Sequence, residues 1–209
     1  MKALKELLSE LTFTCERGNL EKEITAVVYD SRKIVEGCLF VCIKGANFDG
    51  HQAAAEAAEK KAAAIIVSQE VVELPKQSET TLIRVEDTRY ALAFVSAAWF
   101  DHPAKKLTTI GITGTKGKTT TTYLVKSILE NAGRKVGLVG TIEIIIGDTH
   151  IHAVNTTPES YLLQEYFAKM VESGCDTVVM EVSSQALMLH RTQGFVFDYG
   201  IFTNLEPDH

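Results

Sequence analysis

Residues 111–120, Gly-Ile-Thr-Gly-Thr-Lys-Gly-Lys-Thr-Thr, carry the densest chemistry of this chain. Gly114 and Gly117 let the backbone bend until its N–H groups converge on an anion. Lys118 adds a point charge and Thr119 a hydroxyl suited to a hard metal ion. Such a loop needs a strand to deliver it and a helix to receive it, and the apolar run 107–112 and the amphipathic run 119–131 supply both. A phosphate cradle over Gly114, Thr115, Lys116, Gly117, Lys118, Thr119 and Thr120 is the expectation, with ATP and Mg2+ as its guests. The loop is a variant, because Ile112 stands five residues before Gly117 where the strict pattern has glycine. The bland alternative is an ordinary strand-to-helix turn whose lysine faces solvent.

A nucleotide site draws its remaining groups from the carboxyl ends of neighbouring strands. The run 177–181 ends on Glu181 after four mostly apolar residues, which makes Glu181 a candidate carboxylate ligand for magnesium. The alternative for Glu181 is a strand-end ion pair with a lysine. Residues 201–209 form a second strand ending in Asp208 and His209, a weaker signal. Helix starts at Thr156-Thr157 and at Ser183-Ser184 offer further donors to a phosphorylated substrate.

Around these groups the pattern is α/β throughout. Short β-like runs at 26–29, 38–43, 63–67 and 82–85 alternate with helical runs at 52–61 and 88–100, the latter with Leu92, Val95 and Trp99 on one face behind an Asp87 or Thr88 cap. Pro103 and the charged residues around it place a domain boundary near residue 104. Beyond it, helix 119–131 presents Leu124, Val125, Ile128 and Leu129 as one face and stops at Gly133. Strand 135–139, a β-rich stretch 142–154 turning at Gly147-Asp148, and a helix starting at Thr157-Pro158 follow, then strands 177–182 and 197–203. The expected domains are 1–104, a small α/β unit, and 105–209, a mostly parallel phosphate-loop unit.

With 209 residues, 45% hydrophobic and 23% charged, the chain can bury one or two cores. Mean hydropathy is +0.04 and no apolar run approaches the ~18 residues of a membrane span, while the N-terminal octet reads as an amphipathic helix rather than a signal peptide. A cytoplasmic protein without membrane insertion is expected. A net charge of −6 argues against a nucleic-acid partner. Of the four cysteines, Cys38 and Cys42 share one face of a strand and read as buried thiols. His150 and His152 read as a solvated hairpin edge rather than a metal site.

Four motifs in this order resemble the Mur ligases. They are the phosphate loop; Asn155-Thr-Thr-Pro158; Glu181-Val-Ser-Ser-Gln-Ala-Leu187 with His190-Arg191; and Thr203-Asn-Leu-x-x-Asp-His209. The likeness is strongest to the members that add the third amino acid of the peptidoglycan stem peptide. Tyr29-Asp-Ser-Arg32, Gly37-Cys-Leu-Phe40, Lys44-Gly45 and Asp49-Gly50 are similar to that family's uridine-binding domain. The resemblance implies a UDP-binding domain over 1–104 and part of a central ATP-binding domain over 105–209, within a longer ligase of which these residues would be an N-terminal piece.

It further implies that Lys118 meets the β- and γ-phosphates, and that Thr119, Glu181 and His209 hold metal. Ser31, with Ala46, Asn47 and Phe48, would line the uridine site. Asn155, Thr156, Thr157, Ser183 and Arg191 would contact the diphosphate and muramoyl-peptide portion; Leu189 departs from the family, some members having a polar residue there. The implied partners are UDP-N-acetylmuramoyl-L-alanyl-D-glutamate, ATP and an amino acid, bound by a monomer. The implied chemistry is phosphorylation of a terminal carboxylate, then attack of an amine on the acyl phosphate. A folylpolyglutamate-type ligase shares a related loop, but lacks the feature at Asp30-Ser-Arg32. A module that binds UDP-muramoyl ligands without catalysis is the reading from another class.

Overall fold

The computed structural model describes residues 1–46, 48–69 and 73–207, and the chain divides into two compact units, Met1–Trp99 and Phe100–His209. The division falls before residue 104 because the turn Pro103–Lys106 packs within the second unit, where the Phe100 ring meets Tyr161 edge-on at 5.3 Å.

In the first unit, β1 (Lys2–Ala3) leads into a single helical turn, α1 (Leu4–Leu7), shorter than the octet pattern suggests. It is followed by β2 (Thr14–Arg17), β3 (Glu23–Ile24), β4 (Val27–Val28), β5 (Leu39–Val41), α2 (Ala54–Glu59), β6 (Ala64–Val67), β7 (Thr81–Arg84) and α3 (Thr88–Trp99). Strands β1 and β3 pair with each other, and the main sheet runs β2-β7-β6-β5-β4, parallel except for β2. Strand β2 is polar and exposed, so it left no hydrophobic alternation to read. Cys38, Phe40 and Cys42 lie at a period of two in a core closed by Ala54, Ala57 and Ala58 of α2, whose small side chains let the helix approach the sheet. Burial pushes the Cys42 thiol well above its ordinary pKa, which keeps it protonated and inert. Helix α3 starts on Asp87, whose Oδ1 accepts from the N–H groups of Arg89 (2.7 Å) and Tyr90 (3.0 Å).

The second unit runs β8 (Thr108–Thr113), α4 (Lys118–Asn131), β9 (Val136–Val139), β10 (Glu143–Ile146), β11 (Thr149–His152), α5 (Ser160–Glu172), β12 (Thr177–Glu181), α6 (Ser184–Met188) and β13 (Tyr199–Phe202). Its sheet has the order β11-β10-β9-β12-β8-β13, with β9, β12, β8 and β13 parallel and the β10–β11 hairpin antiparallel at one edge. Leu163, Phe167 and Met170 of α5 pack on one face against Val178 and Met180. On the other face Val125 and Leu129 of α4 cover Ile110, Ile112, Val136 and Val179. Leu124 and Ile128, expected on that face, are 58% and 66% exposed, since the i, i+4 stripe that meets the sheet passes through 125 and 129 instead. Helix α5 begins at Ser160 rather than at Thr157-Pro158. Thr157 is held out of the helix by its own side-chain bonds, and Glu159 caps the first turn.

Candidate functional site

Strand β12 lies beside β8 with Glu181 opposite Ile112, so the carboxylate leaves the sheet next to the start of the phosphate loop. Both residues stand at carboxyl ends of parallel strands, where open α/β sheets place their ligands. Gly114 has φ +131°, and a Cβ there would overlap Thr203 Oγ1 and crowd the backbone of Asn204, so only glycine fits. The loop then runs into α4, whose first intrahelical bond is donated by Thr121 to Gly117 O at 2.9 Å. The N–H groups of Lys118, Thr119 and Thr120 precede it and form the positive end of the helix. Lys118 Nζ sits over the loop, donating to Gly114 O (2.6 Å) and Thr115 O (3.1 Å).

Two of the expected cradle amides have other partners. Thr115 N–H donates to Asn204 O at 3.0 Å, and Lys116 N–H to Asn204 Oδ1 at 2.9 Å. Lys116 Nζ pairs with Glu206 Oε2 at 2.6 Å on the surface. The donors left to an anion are therefore those at the start of α4. Thr120 is exposed beside them.

Glu181 is 1% exposed and accepts three hydrogen bonds: from Thr119 Oγ1 (2.9 Å) and Thr141 Oγ1 (3.0 Å) to Oε2, and from Thr141 N–H (2.9 Å) to Oε1. No lysine, arginine or histidine pairs with it among the described residues, so the strand-end ion pair does not form. A buried carboxylate held only by neutral donors fits a cation ligand. Gly140 makes room for it, since a Cβ at that position would stand 2.7 Å from Glu181 Oε1. No cluster of three or more His, Cys, Asp or Glu occurs among the described residues. A magnesium ion would need only one or two protein oxygens, with phosphate and water completing its shell. His209 and Asp208 lie outside the described residues, as does Asn47.

The expected substrate-contacting residues separate into two groups. Asn155 is exposed, and the next residue, Thr156, accepts at Oγ1 from Thr141 Oγ1 at 3.1 Å, which places Thr156 beside the Glu181 carboxylate. Thr157 is buried, its hydroxyl donating to Glu181 O (2.9 Å) and accepting from Ser183 N–H (3.1 Å). Ser183 Oγ caps α6 by accepting from Ala186 N–H at 3.2 Å, and Arg191 Nη1 donates to Thr157 O at 3.1 Å. In this structure these three brace the pocket wall.

Beyond Glu181, Tyr123 of α4 donates to Glu143 Oε1 (2.7 Å), and Glu143 Oε2 lies 2.7 Å from His150 Nδ1. Burial, the bond to Glu143 and the charges of Glu143 and Glu181 together push the Tyr123 phenol up to about 12. His150 and His152 lie on the edge hairpin strand, as expected. The pocket residues that sequence reading missed are Gly140, Thr141 and Tyr123; no pattern marks a Gly-Thr pair as the support of a carboxylate forty residues away.

In the first unit, Ser31 follows strand β4, and Lys44, Gly45, Ala46, Phe48 and Asp49 follow the neighbouring parallel strand β5. Asp30 caps the 3-10 turn holding Ser31, accepting from Arg32 N–H (3.1 Å) and binding its guanidinium at 2.9 and 2.7 Å. The Arg32 side-chain bonds hold the Asp30 carboxyl below its usual range, against a smaller opposing effect of burial. Ser31 is half-buried, while Ala46 and Phe48 are exposed on a turn closed by Gly45 N–H donating to Phe48 O at 2.9 Å. Behind the turn, the buried His51 accepts from Ser68 N–H at Nε2 (3.0 Å) and approaches Asp49 Oδ1 through Nδ1 (2.6 Å). The proton is therefore on Nδ1.

Residues 112–209 match the model of the Mur ligase middle domain, and residues 23–99 that of the Mur ligase family catalytic domain. The UDP-N-acetylmuramoyl-L-alanyl-D-glutamate–2,6-diaminopimelate ligase of Clostridium perfringens is 48% identical over 206 residues, covering 99% of this chain and 42% of that protein. The ligase of the same name from Bacillus licheniformis is 47% identical over 192 residues, covering 92% and 38%. A solved structure of such a diaminopimelate ligase superposes with a TM-score of 0.79 at 22% identity, over all of this chain and 41% of that one. The MurF ligase of Thermotoga maritima in complex with ADP superposes with a TM-score of 0.55 at 24% identity, over 88% of this chain and 38% of that one. The chain thus spans about two-fifths of the length of the curated relatives it matches. With both family models matching in order and relatives nearly half identical along it, the chain belongs to the Mur ligase family.

Proposed function

We propose that this chain supplies the uridine-binding and phosphate-binding parts of a cytoplasmic, monomeric ATP-dependent ligase. Its reaction joins the third amino acid to UDP-N-acetylmuramoyl-L-alanyl-D-glutamate in peptidoglycan synthesis. The observation that carries this reading is the convergence of the loop, Lys118, Thr119 and a buried Glu181 held by neutral donors at the carboxyl ends of β8 and β12. The names of the relatives supply the substrate class.

In this reading the α4 N–H groups and Lys118 bind the triphosphate, while Thr119 and Glu181 hold Mg2+. Bound together, ATP and Mg2+ supply an activated phosphoryl group for a substrate carboxylate. The chain's own residues contribute positioning and charge neutralisation, the two effects that dominate phosphoryl transfer. Lys118 would leave its two loop carbonyls for phosphate oxygens, exchanging neutral acceptors for charged ones. Asn155 and Thr156, at the rim, face the diphosphate and muramoyl-peptide portion. Ser31 and the 44–48 turn form the uridine site of the first unit.

The test is thermal denaturation with UDP-N-acetylmuramoyl-L-alanyl-D-glutamate and with UDP-glucose as control. At ~100 times its Kd the muramoyl ligand stabilises the fold by about 2.7 kcal/mol, and Ser31→Ala reduces the shift. Equal shifts with both ligands would reduce the reading to general uridine binding. No shift with either at millimolar concentration would remove it.

A further inference from the structure

Asn204 lies just beyond β13 with its side-chain amide laid along the backbone of Lys116. Its Oδ1 accepts from Lys116 N–H at 2.9 Å and its Nδ2 donates to Lys116 O at 3.0 Å, while its own carbonyl accepts from Thr115 N–H at 3.0 Å. One residue thereby engages three backbone groups of the phosphate loop. A primary amide is the side chain that offers donor and acceptor together at the spacing of a peptide edge, so Asn204 pairs with Lys116 as an extra strand residue would. Thr203 completes the clasp: its Oγ1 donates to Lys116 O (2.8 Å) and lies 3.2 Å from Thr113 O. Further out, Thr115 Oγ1 accepts from Glu206 N–H at 2.9 Å.

We infer that Asn204 is a positioning residue for phosphate binding, fixing the loop through Lys116 so that the α4 N–H groups and Lys118 are set before the anion arrives. The inference rests on the reading of this loop as a triphosphate site. Its physical basis is preorganisation: a loop left to order itself on binding spends part of the binding energy on that ordering. The clasp also turns the Thr115 and Lys116 amides away from the anion, leaving it to the helix terminus. Aspartate cannot replace asparagine here, because its second oxygen would face Lys116 O, an acceptor opposite an acceptor.

The experiment compares the chain with Asn204→Leu, near in size but without polar atoms, and Asn204→Asp, which keeps the acceptor for Lys116 N–H. Amide exchange read by NMR reports the clasp, and calorimetry with MgATP reports its consequence. In Asn204→Leu, Lys116 N–H should exchange at least tenfold faster, with the interior amides of α4 unchanged. The Kd for MgATP should rise at least tenfold in each variant that retains the native far-UV spectrum. If the wild-type chain binds MgATP and a folded variant binds it equally well, the inference fails while the proposed function stands. Unchanged Lys116 exchange in a folded Asn204→Leu would overturn it as well. If the wild-type chain itself binds no MgATP, the proposed function fails and the inference falls with it.

Discussion

Thr119 Oγ1 and Glu181 Oε2, 62 residues apart in sequence, meet at 2.9 Å across the ends of two neighbouring strands. The loop contributes the hydroxyl and β12 the carboxylate, and the register of β12 against β8 makes them neighbours. Thr141 closes the arrangement from a third direction with its N–H and its hydroxyl. The carboxylate is thus fixed in orientation by neutral donors, with no positive side chain on it among the described residues.

This geometry sets the outcome of Glu181→Gln. The amide oxygen can still accept from Thr141 N–H, and the two threonine hydroxyls can rotate to accept from the new NH2 group. Stability should change by no more than about 1 kcal/mol, because a buried charge is lost along with its bonds. Nucleotide binding, by contrast, should lose its dependence on Mg2+. Melting curves and calorimetry with and without Mg2+ check both parts, and a variant whose ATP affinity still rises with Mg2+ would remove Glu181 from the metal site.

Gly140→Ala tests the same carboxylate by crowding it. A methyl group 2.7 Å from Oε1 must displace Glu181 or the loop that bears Thr141. Overpacking of this kind costs about 1–3 kcal/mol, and the Mg2+-dependent part of ATP binding should weaken with it. A urea denaturation midpoint equal to that of the wild type would show that the pocket yields more easily than this geometry implies.

The pair Glu143–His150 offers a pH-dependent signal. The His150 side-chain bond first, and the Tyr123 hydroxyl second, lower the Glu143 pKa from 4.5. A carboxylate whose folded pKa is depressed contributes stability that is present above the unfolded value and lost as pH falls through the folded one. The Glu143 carboxyl carbon should therefore titrate by NMR below 4.5 in the wild type and move upward in His150→Ala. Identical midpoints in the two proteins would mean that the pair does not hold in solution.

Much of the second unit was legible in its sequence, because the glycine-rich loop, the strand-end carboxylate and the alternation of strand and helix are local patterns. The partial burial of α4 was not, since Leu124 and Ile128 are as apolar as Val125 and Leu129 and only the position of the sheet separates them. The start of helix α5 differs from the pattern because proline usually marks the first helical position, whereas here the Thr157 hydroxyl is tied to Glu181 O and Ser183 N–H, and the extended Glu159 is the cap. Glu181 was visible as a strand-end carboxylate, but its supports Gly140 and Thr141 were not, being brought to it by the β9–β12 pairing alone. In the first unit β2 passed unnoticed because edge pairing by an exposed, polar strand leaves no apolar trace.

The central claim, that the loop of the second unit binds a nucleoside triphosphate through Lys118, is tested most directly by calorimetric titration of MgATP into this chain and into Lys118→Ala. Lys118 carries a charge-assisted contact worth about 1.5–3 kcal/mol, so saturable binding by the wild type should weaken roughly ten- to a hundredfold in the variant. Equal affinities in the two proteins, or no binding by a folded wild-type chain at millimolar ATP, would contradict it.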